Sequence, residues 1–317
     1  MVVDGRGREP ARSSVVGMRI RTTAWTPAAP TVADPDPDGR AEQLAELMDG
    51  RRAVALTGAG LSTPSGIPDY RSPDSPVRRP MTIEAFLSSP ESRRRYWARN
   101  HLGWRHMDAA APNAAHRALR TLQDAGVLSG VITQNVDMLH MKAGSRPVVD
   151  LHGSYGRVRC LGCGEQVSRH RLAEALEAAN PGYADRVASR GAIEVAPDAD
   201  AALEDIGDFV MLDCERCGGV LKPDIVYFGE TVGPDVVAQA FSLVDDADLL
   251  LVAGSSLTVM SGLRFVRRAV AAGKPVAIVN RGRTRGDDLA TLKIDHRCEV
   301  ILPAVADRIA AARSTLL

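Results

Sequence analysis

Short apolar runs that stop at a glycine or a polar residue recur along this chain, with helical patterns between them. Ala53-Val-Ala-Leu-Thr57 stops at Gly58, and similar runs stand at Val131-Ile-Thr133, Asp248 to Ala253, Pro275 to Val279 and Val300-Ile-Leu302. Each is too short for a helix and lacks a polar face, which reads as a strand buried on both sides. Helical patterns such as His116 to Asp124 and Gly262 to Ala272 lie between the runs. That alternation predicts an α/β fold, a parallel sheet with helices on both faces. A first helix is expected from about residue 39, with Ala41, Leu44, Ala45 and Met48 on one face, Asp38 as cap and Gly50 as stop.

Two stretches interrupt the rhythm. Residues 64–115 are rich in Pro, Arg, Tyr and Trp and read as a mostly helical insertion, and 155–221 hold four of the five cysteines and read as a separate module. The main domain is then 37–154 together with 222–317. Residues 1–36 carry Arg6, Arg8, Arg12 and Arg19 without a hydrophobic period and read as a flexible N-terminal tail. A transit peptide is disfavoured by Asp4 and Glu9; Met18 is an alternative start. With 39 Lys+Arg against 39 Asp+Glu, the chain carries no net charge, which argues against direct nucleic-acid binding and polybasic membrane docking. It has no apolar run of the roughly 18–20 residues a membrane helix needs. Five cysteines are too few for a disulfide scaffold, and the expected setting is a reducing cytoplasm.

Cys160-Leu-Gly-Cys163 and Cys214-Glu-Arg-Cys217 are paired C-x-x-C knuckles, with Gly162, Gly164, Gly218 and Gly219 for the tight turns. Four thiolates with no histidine leave no open position, so the pattern predicts one structural Zn2+. An iron–sulfur cluster and two redox thiol pairs are the competing readings. The 50 intervening residues exceed a simple zinc ribbon.

Thr57-Gly-Ala-Gly60 follows the first strand, where glycines let a backbone approach a phosphate. Thr63 stands where a third glycine would fall, so an ordinary strand-turn pair competes. Gly254-Ser255-Ser256 and Asn280-Arg281-Gly282 end two further runs. Ligands of open α/β sheets bind beyond the carboxyl ends of the strands, so three such ends favour a Rossmann-like dinucleotide site. Gln134-Asn135-Val-Asp137 and His152-Gly153 add an amide, a carboxylate and an imidazole. Asn135 or Asp137 could merely cap a helix, and His152 could be a structural histidine.

Taken together, Gly58 to Ser72, Thr133-Gln-Asn-Val-Asp137, Leu151-His-Gly153, both cysteine pairs, Val226-Tyr-Phe-Gly-Glu230 and Gly254-Ser-Ser256 resemble the sirtuins. The resemblance covers about residues 39–305; Tyr96-Trp-Ala-Arg-Asn100 and Thr284 to Cys298 further resemble the class II branch. It implies an NAD-dependent protein lysine deacylase acting on acyl-lysine proteins or peptides, with NAD+ as co-substrate and a structural zinc held by Cys160, Cys163, Cys214 and Cys217. Gly58, Ala59, Gly60, Thr63, Gln134, Gly254, Ser255, Ser256, Asn280, Arg281, Gly282 and Cys298 would line the dinucleotide, under a loop bearing Asp69, Tyr70 and Arg71. Asp137 would bind the nicotinamide carboxamide and Asn135 the ribose and a water. The acyl oxygen would attack the ribose as nicotinamide leaves, and His152 would act as general base on a ribose hydroxyl, giving O-acyl-ADP-ribose. Val226, Tyr227 and Phe228 would pair with the substrate backbone. Tyr96 and Arg99, three apart on a helix, would read a longer or acidic acyl tail; the plain alternative packs Tyr96 inward and leaves Arg99 solvated. A protein ADP-ribosyltransferase and a non-catalytic NAD or ADP-ribose sensor are the rival functions.

Overall fold

The computed structural model describes residues 18–19, 33–69, 80–189 and 205–314. Its strands are β1 (Met18–Arg19), β2 (Ala53–Thr57), β3 (Leu128–Thr133), β4 (Val148–Asp150), β5 (Gly153–Cys160) and β6 (Gln166–Ser168). They continue with β7 (Leu221–Ile225), β8 (Thr231–Val232), β9 (Leu249–Ala253), β10 (Val276–Val279) and β11 (Leu292–Ile294). Its helices are α1 (Pro37–Met48), α2 (Ile83–Leu87), α3 (Pro90–Ala109), α4 (Ala114–Asp124) and α5 (Leu139–Lys142). After them come α6 (Arg169–Ala179), α7 (Tyr183–Ala188), α8 (Pro234–Asp246), α9 (Met260–Ala271) and α10 (Cys298–Ser314).

Six strands form one parallel sheet in the order β11-β10-β9-β2-β3-β4. Period-2 alternation sends Ala53, Ala55, Leu249, Leu251, Ala277 and Val279 to one face. There they meet Leu44 and Met48 of α1, Leu119 and Leu122 of α4, and Ile301, Leu302 and Val305 of α10. Val54, Leu56, Leu250, Val252, Val276 and Ile278 point the other way, onto Val244 of α8 and Leu263, Phe265 and Val266 of α9. Both faces are thus dry, and each Leu, Ile or Val contributes ~1.5–3 kcal/mol by leaving water.

The chain moves outward from β2 to β3 and β4, then returns to lay β9 on the other edge of β2. The reversal between β2 and β9 opens a crevice at their carboxyl ends, and this positions the site. A second, antiparallel sheet, β6-β5-β7, carries the cysteine module. A third aromatic-rich core joins that module to α2 and α3 through Phe86, Tyr96, Trp97, Tyr155 and Tyr227.

Three sequence expectations shift. Val300-Ile-Leu302 is not a strand but the first turns of α10. Its burial continues at Val305 and Ala306, a helical spacing that a three-residue apolar run does not reveal. The last strand is instead β11, whose half-exposed Leu292 and Lys293 gave little apolar signal. The cap of α1 is Asp36, whose side chain accepts from Gly39 N–H, because Pro37 at the first helical position starts the helix earlier. Within the stretch read as a tail, Met18 and Arg19 pair antiparallel with β8. Among the described residues no helix is long and apolar enough to cross a membrane.

Candidate active site

The crevice is built by close approach of two loops. Gly58 N–H donates to the Ala253 carbonyl at 3.1 Å and Gly60 N–H to the Gly254 carbonyl at 2.9 Å. A Cβ on Gly58 would lie 2.8 Å from that same Gly254 oxygen, and one on Gly254, at φ +65°, 2.2 Å from Leu61 N. The sequence suggested that these glycines bare their amides to phosphate. In the fold their first task is to let the β2 and β9 loops touch, and two of those amides are engaged there. Ala59 is half-buried at the start of a 3-10 turn. Thr63 is exposed and its hydroxyl donates to the Gly60 carbonyl.

Residues 134–137 leave β3 beside this loop. Asn135 Nδ2 donates to the Gly58 carbonyl and to Ser62 Oγ, each at 3.0 Å. Ser62 donates in turn to Asp137 Oδ2 at 2.6 Å, while Asp137 Oδ1 accepts the Leu139 amide at 2.9 Å. Asp137 therefore holds the first amide of α5 and the serine of the crevice loop at once. Burial raises its pKa, opposed by the Ser62 and Leu139 donors. Gln134 accepts from the Ser255 hydroxyl at 2.7 Å, tying the β3 and β9 loops together.

His152 follows β4 and is half-buried. Its Nδ1 lies 2.9 Å from the Gln134 carbonyl, which can only accept, so Nδ1 carries the proton. Nε2 then holds the lone pair and lies 2.9 Å from Ser261 Oγ. Desolvation lowers the ring's pKa to about 4, against the raising effect of the Gln134 carbonyl. The imidazole is thus neutral near pH 7, with its basic nitrogen against the buried Ser261 hydroxyl.

On the far side, Ser256 Oγ lies 2.9 Å from Thr258 Oγ1. Asn280 Nδ2 donates to the carbonyls of Arg281 and Gly282, and Gly282 N–H to Asp295 Oδ1 at 2.7 Å. Cys298 is buried, donates to the Val279 carbonyl, and has its thiol pushed up to about 12 by burial. It stands far from the four-cysteine cluster in the chain and opens α10. Asp69 is half-buried, and Tyr70 and Arg71 lie outside the described residues.

The segment after β7 lies against the histidine. Val226 N–H donates to the His152 carbonyl at 2.8 Å. Phe228 pairs with the chain before α2, its N–H donating to Met81 O and its carbonyl accepting from Ile83. Tyr227 is buried, its ring centroid 5.6 Å from Tyr96 and 5.4 Å from Phe86. Tyr96 is wholly enclosed, its hydroxyl 3.1 Å from that of Tyr155 and accepting from Asn100. Arg99 is half-buried.

The four module cysteines gather their sulfurs within 4.8 Å of one another. Cys160 Sγ lies 3.5 Å from Cys217 Sγ, and Cys163 Sγ 3.8 Å from Cys214 Sγ. A tetrahedral ion with Zn–S of ~2.3 Å needs sulfurs about 3.8 Å apart, so the donor set fits zinc. None of the four is in a disulfide, and the amides of Cys163 and Gly162 point at Cys160 Sγ and hold its pKa below the ordinary thiol range. A Cβ on Gly219 would sit 2.9 Å from Cys160 Sγ, which explains the glycine.

Four polar residues of this neighbourhood were not singled out in the sequence: Ser62, Asn113, His140 and Ser261. Asn113 Nδ2 donates to Leu61 O and Ser65 Oγ, and His140 Nε2 lies 2.8 Å from Thr57 Oγ1. Ser62 lies inside the glycine loop, which was a usable signal; Ser261, in the first turn of α9, had none.

Comparison with known proteins agrees with this geometry. The chain matches the Sir2 family over residues 58–261. It is 62% identical over 273 residues to NAD-dependent protein deacetylase 1 of Mycobacterium avium (strain 104), covering 86% of this chain and 97% of the relative. It is 52% identical over 300 residues to NAD-dependent protein deacetylase 1 of Streptomyces coelicolor, covering 92% and 97%. A solved structure of Sir2 with p53 peptide and NAD+ superposes with a TM-score of 0.65 at 32% identity, covering 86% of this chain and 98% of that one. With residues 58–261 matching the family and a 62% identical relative aligned over 97% of its length, the chain belongs to the Sir2 family.

Proposed function

We propose that this protein is an NAD-dependent protein lysine deacylase that releases nicotinamide and O-acyl-ADP-ribose. The observation that carries the reading is the state of His152: a neutral imidazole, Nε2 free of its own proton and Nδ1–H on the Gln134 carbonyl, the residue that precedes Asn135. NAD+ supplies the electrophilic ribose carbon. Asn135 and Asp137, joined through Ser62, would hold the nicotinamide ribose end. His152 would take a proton from a ribose hydroxyl at Nε2, a role typically worth ~10²–10⁴-fold. Gly58, Ala59, Gly60, Thr63, Gln134, Gly254, Ser255, Ser256, Asn280, Arg281, Gly282 and Cys298 would line the dinucleotide, with Asp69, Tyr70 and Arg71 on its covering loop. Val226 to Phe228 would receive the peptide backbone. The zinc would serve as a clamp on the module, holding β5 and β7 together and leaving no coordination site for chemistry. A reducing cytoplasm suits such a thiolate site.

The acyl preference is proposed to favour longer or carboxylated groups. Arg99 would supply the charged contact and Tyr96 a hydrogen bond, for which its phenol must trade the Tyr155 or Asn100 bond it holds here. The test follows nicotinamide release from NAD+ with acetyl, succinyl and glutaryl peptides and with none. Release only with peptide supports a deacylase, labelling of protein by NAD+ a transferase, and binding without release a sensor. Arg99→Ala should cost carboxylated substrates roughly 1.5–3 kcal/mol in kcat/KM and spare acetyl. An equal loss on all peptides defeats the acyl reading.

A further inference from the structure

Beyond Asn280, the structure holds a cleft of about 180 Å³ lined by Ala33, Arg281, His296 and Arg297. Arg281 leaves the end of β10, while His296 and Arg297 link β11 to α10. The Arg297 carbonyl accepts the amides of Val300 and Ile301, so Arg297 stands at the positive end of a 17-residue helix. Arg281 and Arg297 make no ion pair among the described residues. His296 Nδ1 is buried without a hydrogen-bond partner. Behind them, Lys293 Nζ lies 2.8 Å from the Asn280 carbonyl.

The nearby carboxylates hold partners of their own. Asp295 Oδ1 accepts Gly282 N–H at 2.7 Å. Asp34 accepts the Asp295 amide at 3.0 Å and pairs with Arg40 at 3.3 Å. Arg281, His296 and Arg297 therefore line one small cleft, at the residue that precedes α10. In dinucleotide-binding folds a carboxylate beside the adenosine ribose selects the 2′-hydroxyl, whereas an arginine accommodates a phosphate there. Here the strand end reads Asn280-Arg281-Gly282-Arg283, with no acid. The cleft is smaller than a whole-ligand pocket but has room for a ribose phosphate.

We propose that this cleft is an anion subsite for a phosphate monoester on the ribose of an adenosine nucleotide, so that a 2′-phosphorylated dinucleotide competes with NAD+. The proposal rests on the reading that adenosine lies against Asn280 and Cys298. Arg297 would give the phosphate a charge-assisted contact from the helix end, and His296 a second donor.

The experiment titrates NAD+, NADP+ and inorganic phosphate separately into the full chain by calorimetry at fixed ionic strength, then repeats NADP+ in the presence of NAD+. Wild type, Arg297→Ala, Arg297→Lys and His296→Ala are compared, with melting curves to confirm folding. NADP+ should displace NAD+ from wild type. Arg297→Ala should weaken NADP+ about tenfold and NAD+ less than twofold, with Arg297→Lys between. NAD+ binding without displacement by NADP+ overturns the subsite and leaves the adenosine reading standing. An equal loss of both nucleotides in Arg297→Ala also overturns it. Phosphate binding without NADP+ binding marks an adventitious ion only. If NAD+ itself does not bind wild type, the adenosine reading fails and the subsite with it.

Discussion

Ser261 Oγ lies 2.9 Å from His152 Nε2, the nitrogen that would accept a proton in the proposed reaction, while the opposite ring nitrogen donates to Gln134. Ser261 is wholly buried in the first turn of α9, so this contact with the ring is shielded from solvent. It donates into the lone pair, which fixes the ring and stabilises its neutral form. In the proposed reaction a substrate hydroxyl would take its place. Ser261→Ala should therefore lower kcat about two- to tenfold, leave KM unchanged or lower, and raise the kinetic pKa of the base. Ser261→Thr should restore part of the rate. A variant with wild-type kcat and pH profile would make the contact incidental.

The acid limb of kcat/KM reports the base in the free enzyme. Burial lowers the His152 pKa to about 4, and the ring keeps an open edge, so the limb should fall between that value and 6.5. The sign is definite: activity is retained as pH drops through 6.5 and is lost only when Nε2 protonates below it. A limb at or above 6.5 would show that His152 is more solvated than the structure has it, or is not the base.

One metal per chain is expected, through Cys160, Cys163, Cys214 and Cys217. Cys214→Ser should lose the metal, lower the melting temperature and reduce activity indirectly, since the bound ion supplies folding free energy to β5 and β7. Cys298→Ser should keep it, because that thiol sits on the Val279 carbonyl at the start of α10. Metal analysis and melting curves decide this. Full metal content in Cys214→Ser, or iron in place of zinc, would be the contrary result.

The sheet was legible because a strand buried on both faces cannot hide: Leu249 to Ala253 is apolar throughout. β11 and α10 were not, for opposite reasons. Lys293 reaches back to the Asn280 carbonyl, so a polar residue sits in a strand, whereas Val300-Ile-Leu302 imitates a strand within a helix. At the site, residue types were readable but partners were not. The Ser62 and Ser261 bonds join residues 75 and 109 positions apart, and no local pattern encodes such a meeting. Gly58 and Gly254 were legible as glycines yet not as each other's reason.

That last contact can be measured. Gly254→Ala would place Cβ 2.2 Å from Leu61 N at φ +65°, pushing the β2 loop off the β9 loop. Gly273 has φ +70° with nothing within 4 Å of its Cβ, so Gly273→Ala carries only the backbone strain. The expected costs are about 1–2 kcal/mol for Gly273→Ala and a further 1–3 kcal/mol for Gly254→Ala, with NAD+ affinity lost only in the latter. Chemical denaturation compares them. Equal costs would mean that the loops have slack.

Acid stability should expose two buried groups of opposite sign. His116 packs 4.9 Å from the His140 ring, and burial lowers its pKa from 6.5 to about 4. The unfolded chain then binds the extra proton first, so its contribution is lost as pH falls below 6.5, by ~2 kcal/mol at pH 5. Asp150 is raised by burial from 3.8 to about 6, with Arg157 only partly opposing at 3.7 Å. The folded chain takes that proton first, so stability is gained below pH 6, by ~1 kcal/mol at pH 5. The two effects partly cancel in the wild type. His116→Gln should flatten the loss of unfolding free energy between pH 7 and 5 by ~2 kcal/mol, and Asp150→Asn should steepen it by ~1 kcal/mol. Unfolding curves at the two pH values give each difference directly, independent of what the substitution itself costs at pH 7. Slopes identical to wild type in both variants would mean that neither group is held in the protonation state its burial dictates.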